Sequence, residues 1–105
     1  MIMANLNPLN RLQEWYVQQC DGTWEHTHGI SISTLDNPGW RIKIDLNETN
    51  LKNSSFEEVV FGSDGKNDWY RCSVKNFSFE GYGGPMRLND LISTFLDWAN
   101  NVVAG

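Results

Sequence analysis

Residues Trp40 to Leu46 alternate without a break. Trp40, Ile42, Ile44 and Leu46 take one parity and Arg41, Lys43 and Asp45 the other. A half-buried β-strand has this pattern, because successive side chains point to opposite faces of a sheet. Trp24 to Thr34 reads as a partner strand, with Trp24, His26, His28, Ile30 and Ile32 on one parity. Between them Asp36-Asn37-Pro38-Gly39 reads as a turn, since Pro presets φ and Gly accepts positive φ. The length of that turn constrains the fold. A two- or four-residue connection sets Ile32 against Lys43 and Ile42 against Ser33, which mixes apolar and polar groups on both faces. An odd connection brings Ile30, Ile32, Ile42 and Ile44 together. The expectation is a three- or five-residue connection, or a bulge, around Asn37-Pro38-Gly39.

Further strands are expected at Phe56 to Gly62, Trp69 to Lys75 and Phe77 to Tyr82. A hairpin loop is expected over residues 63–68 and a tight junction near Asn76. Asn47 to Ser55 reads as a polar connection. Asn7-Pro8 signals a helix start, and Leu9, Leu12, Tyr16 and Cys20 recur at helical spacing beside Trp15 until Asp21-Gly22. After Gly83-Gly84-Pro85, a second helix carries Leu88, Leu91, Ile92, Phe95, Leu96 and Ala99 as one apolar stripe. The strand connections are too short for parallel crossovers. The expected class is α+β: a single five-stranded antiparallel sheet with N- and C-terminal helices packed on one face. Residues 1–105 form one domain, with a helix over about 8–20, strands over about 24–82 and a helix over about 87–102.

The 105 residues carry a net charge of −5, with 40% apolar and 12% aromatic residues. That many aromatics indicates a folded chain. The acidic balance argues against direct binding of nucleic acid or of an anionic membrane, and permits a basic partner. No apolar stretch has transmembrane length, and the N-terminus lacks a signal-peptide pattern, so a cytoplasmic protein is expected.

The same parity assigns an open polar face. Its charges are Glu25, Asp45, Glu58 and Glu80 against Arg41, Lys43, Arg71 and Lys75, a balanced set. Trp69 and Tyr82 are its aromatics. Trp69 is expected to be exposed, because Tyr70, Cys72 and Val74 take the core parity. The candidate partner-binding residues are Glu25, Asp36, Arg41, Lys43, Trp69, Arg71, Glu80 and Tyr82.

No coherent catalytic set emerges. His26-x-His28 can ligate zinc, but a third ligand at defined spacing is missing, and by parity both imidazoles face the helix-covered side. Cys20 and Cys72 lack CxxC spacing; they are expected to be reduced, partly buried thiols. The glycines before the second helix lack the Lys-Ser/Thr of a phosphate loop. Glu57 and Glu58 point to opposite faces, so they are no acid/base pair.

Specific runs do carry a resemblance. Leu12-Gln13-Glu14-Trp15-Tyr16 is followed by Cys20-Asp21-Gly22-Thr23-Trp24-Glu25-His26. Thr34-Leu35-Asp36-Asn37-Pro38-Gly39-Trp40 comes next, then Asp68-Trp69, Phe79-Glu80-Gly81, Gly83-Gly84-Pro85 and Phe95-Leu96-Asp97-Trp98-Ala99. Over about residues 9–100 the chain resembles the immunity protein 53 family of bacterial polymorphic toxin systems. The resemblance implies a non-enzymatic protein, without cofactor, that binds and neutralises a cognate toxin domain. Toxin nucleases with basic surfaces would suit an acidic inhibitor. The expected state is a monomer or a weak homodimer. The rival reading is a small metal-binding protein or enzyme centred on His26 and His28.

Overall fold

The computed structural model describes residues 7–62 and 68–104, the side chains of the last two excepted. Among these residues three helices, α1 (Pro8–Gln19), α2 (Trp24–Thr27) and α3 (Leu88–Ala104), accompany five strands. The strands are β1 (Ile30–Leu35), β2 (Gly39–Asp45), β3 (Val59–Phe61), β4 (Tyr70–Lys75) and β5 (Ser78–Gly83). They form one sheet in the order β1-β2-β5-β4-β3, and every pairing is antiparallel. The α+β architecture is as expected. Of the loop expected over residues 63–68, only Asp68 falls within the described residues.

The first hairpin obeys the parity argument. Leu35 pairs with Gly39, so the connection is the three residues 36–38, and Ile30 and Ile32 pair with Ile44 and Ile42. The β4–β5 hairpin is tighter still. Lys75 pairs with Ser78 across Asn76 and Phe77, whose φ values are 51° and 61°. Two left-handed residues in a row make the turn whose twist matches paired strands.

α3 lies on β2, β4 and β5, and α1 packs mainly on α3. Asn7 caps α1 by accepting from the Leu9 and Asn10 amides at 2.8 and 3.3 Å. The buried face of α1 is Leu12 and Trp15; Leu9, Tyr16 and Val17 are exposed. Aromatic rings meet edge-on through the core: Trp15 on Phe95, Phe95 on Phe79, and Phe56 on both Phe79 and Trp98.

Two expected strands are corrected. Trp24 to Thr27 is a helical turn, not the start of β1. Asp21 Oδ1 accepts from the Thr23 and Trp24 amides at 2.9 and 3.0 Å, and the Glu25 carboxylate accepts from the Asp21 and Gly22 amides at 3.0 and 2.8 Å. Short side chains that bond nearby backbone outcompete alternation here. β3 is also shorter than Phe56 to Gly62, because Phe56 turns inward onto Phe79 and Trp98. The polar connection after β2 still buries Leu51 completely.

Helix and sheet approach closely at Gly81. A Cβ there would stand 3.0 Å from Ile42 Cγ2 and 3.1 Å from Leu91 Cδ2. Gly81→Val should therefore lower unfolding free energy in urea by about 1–3 kcal/mol. Unchanged stability would mean that α3 is not limited by this contact.

Candidate functional site

The sheet face away from α3 is built in rows by strand register. Ser33, Arg41, Tyr82, Arg71 and Val60 lie side by side across β1, β2, β5, β4 and β3. Ser31, Lys43, Glu80 and Ser73 form the next row, and Asp45, Ser78 and Lys75 the third. Alternation makes the composition of this face: each strand spends its apolar parity on the core and presents the other.

Tyr82 and Glu80 are central. The Tyr82 hydroxyl donates to Glu80 Oε1 at 3.3 Å, and Arg41 Nε donates to the Tyr82 oxygen at 3.5 Å. The Arg41 guanidinium also stands 5.9 Å from the centre of the Tyr82 ring. Val60 adds an exposed apolar patch at the β3 edge. The surface is rich in donors and acceptors held by strands, and its strand positions carry neither His nor Cys among the described residues.

Five of the eight candidates, Arg41, Lys43, Arg71, Glu80 and Tyr82, share this face. Asp36 is exposed in the three-residue turn, at the same end of the sheet as the Arg41–Tyr82–Arg71 row. Trp69 is corrected in part: it precedes β4 and is half-buried, with its carbonyl accepting from the Gly84 amide at 2.9 Å. Glu25 is not on the face, because it sits in α2 and caps the loop before it. Glu58 lies ahead of β3. The balanced charge count is therefore corrected as well. On the strands, Arg41, Lys43, Arg71 and Lys75 stand against Asp45 and Glu80, a net of +2. The chain totals −5, so everything else carries −7.

The histidines are not a pair on the helix-covered side. His26 is exposed on α2. His28 is half-buried, and its Nδ1–H donates to Asp45 Oδ2 at 2.7 Å. Burial of Asp45 opposes its ionisation. The Asn47 amide, His28 and the Asn47 side chain outweigh burial and hold the carboxyl below its ordinary value. A shallow groove of about 310 Å³ lies over this pair, lined by Thr27, His28, Gly29, Ile30, Ser31, Lys43 and Asp45. Among the described residues no three His, Cys, Asp or Glu side chains converge on a metal-sized site. Both cysteines are free, and burial pushes the Cys72 thiol up to about 12.

One cluster had no sequence signal. Arg87 pairs with Asp68 and, at 2.9 Å, with Asp90, and it lies 4.8 Å from the Phe61 ring centre and 5.8 Å from that of Tyr70. It ties the start of α3 to the β3–β4 edge.

A family model described as Immunity protein 53 matches residues 9–100. Comparison with curated proteins and with solved structures found no match. No helix among the described residues is long and apolar enough to cross a membrane.

Two outcomes are expected. The lowered carboxyl of Asp45 contributes stability that is present above the unfolded carboxylate value of about 3.9 and is lost as pH falls through the folded value. The stability gap between wild type and Asp45→Asn in urea should thus shrink below about pH 4, and a pH-independent gap would sink the assignment. At mildly alkaline pH, a thiol reagent should modify Cys72 only after unfolding; rapid native labelling would show that the site opens.

Proposed function

The chain belongs to the immunity protein 53 family, and we propose that it binds and neutralises a cognate toxin domain in the cytoplasm of the cell that makes it. The contact surface is the polar sheet face around Arg41, Tyr82 and Arg71, with Lys43 and Glu80 beside them and Trp69 and Asp36 at its end. The observation that carries this reading is a strand-held array of donors, acceptors and one aromatic ring on a face that no helix among the described residues covers. Arg and Tyr are the side chains that anchor protein interfaces most often, along with Trp. Inhibition is by binding alone.

The charge of the face bears on where the toxin is gripped. A net of +2 disfavours insertion into a basic cleft, so a nuclease partner would be held outside its catalytic groove. The acidic remainder of the chain speeds encounter with a basic protein from a distance.

Arg41→Ala with Trp69→Ala should weaken toxin binding by about 2 kcal/mol or more, roughly thirtyfold, with the thermal melt still cooperative. Binding would be measured by calorimetry against the toxin encoded beside this protein, and protection by a growth-rescue assay. Unchanged affinity in a folded double variant would exclude the sheet face.

A further inference from the structure

We propose that β1 is a self-pairing edge: its outer side joins the same strand of a second copy, antiparallel, about a two-fold axis at Ile32. This goes beyond toxin binding and does not depend on it. β1 stands at the end of the sheet, and among the described residues no strand lies on its outer side. The Gly29 carbonyl accepts from the Asp45 amide at 3.0 Å, at the head of the ladder that runs from Ile30–Ile44 to Leu35–Gly39. Antiparallel bonding alternates along a strand. Ser31, Ser33 and Leu35 therefore bond inward to β2, while Ile30, Ile32 and Thr34 turn their N–H and C=O groups outward.

That outer edge lacks the usual protection. Residues 30–35 contain no charge, no Pro and no Gly. Edges of this kind are templates for another strand. The opposite edge differs: β3 has three residues, and Glu57 and Glu58 precede it, so a second copy would meet like charges there.

Self-complementarity points to a copy of this chain as the occupant. A two-fold axis normal to the sheet keeps both helix layers on one side, so opposed residues must share parity. With the axis at Ile32, Ile30 meets Thr34, Ser31 meets Ser33 and Ile32 meets its own copy. Every outward N–H and C=O of the strand then finds a strand partner. The same register sets Asp36 of one copy against His28 of the other, an acid facing an imidazole. With the axis at Ser33, Asp36 falls opposite Ile30 instead; with the axis at Ser31, Thr34 has no strand partner. Ile32 itself supports the pairing. It lies on the helix-covered parity yet is 39% exposed. α3 packs chiefly on β2, β4 and β5, which leaves that position open until a second Ile32 covers it.

Sedimentation of the full chain, from low micromolar to millimolar concentration, reads the equilibrium. A concentration-dependent dimer is expected. Ile32→Lys places two ammonium groups at the axis and should weaken it at least about tenfold, with the circular dichroism melt intact. Thr34→Pro, which removes an outward N–H at an edge that tolerates proline, should do the same. In a Cys20→Ser background, Ile32→Cys should oxidise to a covalent dimer, since facing residues stand about 5.5 Å apart, and Ser33→Cys should not. A monomer at every concentration overturns the proposal, as does a dimer indifferent to both edge variants. Equal cross-linking at both positions overturns the register. A monomeric wild type whose toxin binding is abolished by Ile32→Lys would assign the edge to a toxin strand and overturn self-pairing.

Discussion

The structure depends on β5. This strand sits between the two hairpin systems, paired to β2 on one side and β4 on the other. Its helix-covered parity is Phe79, Gly81 and Gly83, and its open parity is Ser78, Glu80 and Tyr82. The two glycines leave no side chain where Leu91 and Arg87 press toward the sheet, with a Cβ at Gly83 only 3.0 Å from that of Arg87. A helix can sit that low only over a strand stripped of side chains. The same alternation delivers Glu80 and Tyr82 to the middle of the opposite face. The seat for the helix and the centre of the polar surface are thus consequences of one six-residue sequence.

Tryptophans then hold the irregular segments to that frame. Trp24 donates its indole N–H to the Asn47 carbonyl at 3.1 Å, Trp40 to Pro85 at 2.9 Å and Trp98 to Ser55 at 2.9 Å. Each ring reaches the core or its margin while its N–H satisfies a loop carbonyl far away in sequence. Buried indoles need such a partner, and loops need such a tether. The Trp40–Pro85 bond bears directly on the sheet face, because it fixes the link from β5 to α3 at the end where Trp69, Tyr82 and Asp36 gather. Trp98 holds Ser55 while its ring packs on Phe56 at 5.1 Å, which is why that stretch turns inward instead of extending β3.

Much of this was legible in the residues, and the failures have a common cause. The Ile30, Ile32, Ile42 and Ile44 parity decided the hairpin length, because a one-residue slip would have inverted every side chain. The stripe from Leu88 to Ala99 placed α3 because it agrees with the helical period over three turns. Trp24, His26 and His28 also alternate, yet there the pattern misled. Asp21 and Glu25 make four side chain–backbone bonds within five residues, and those bonds set a helical turn regardless of hydrophobic parity. The same error carried Glu25 onto the face and both imidazoles beneath the helices. The Arg87 cluster was invisible for another reason. Its partners Asp68, Phe61 and Tyr70 are distant in sequence and meet Arg87 only once β3, β4 and α3 are in place.

Removing Glu25 changes what the face can be. A mimic of a nucleic-acid backbone needs a run of free carboxylates, and this face has two on its strands. Both are engaged: Glu80 accepts from Tyr82, and Asp45 from His28 and Asn47. The cations are four, spread over β2 and β4 on either side of β5. The other carboxylates are not on these strands; Asp36 lies in a turn and Asp90 and Asp97 on α3. Charge at that remove acts over a Debye length of roughly 8 Å in physiological salt, which favours approach more than it shapes the contact. Under the proposed reading, orientation at contact falls to the Arg41–Tyr82–Glu80 hydrogen-bond chain, whose geometry is set by strand register. A surface preorganised in this way would lose little side-chain entropy on binding the proposed partner, and would discriminate by unmatched polar groups rather than by total charge.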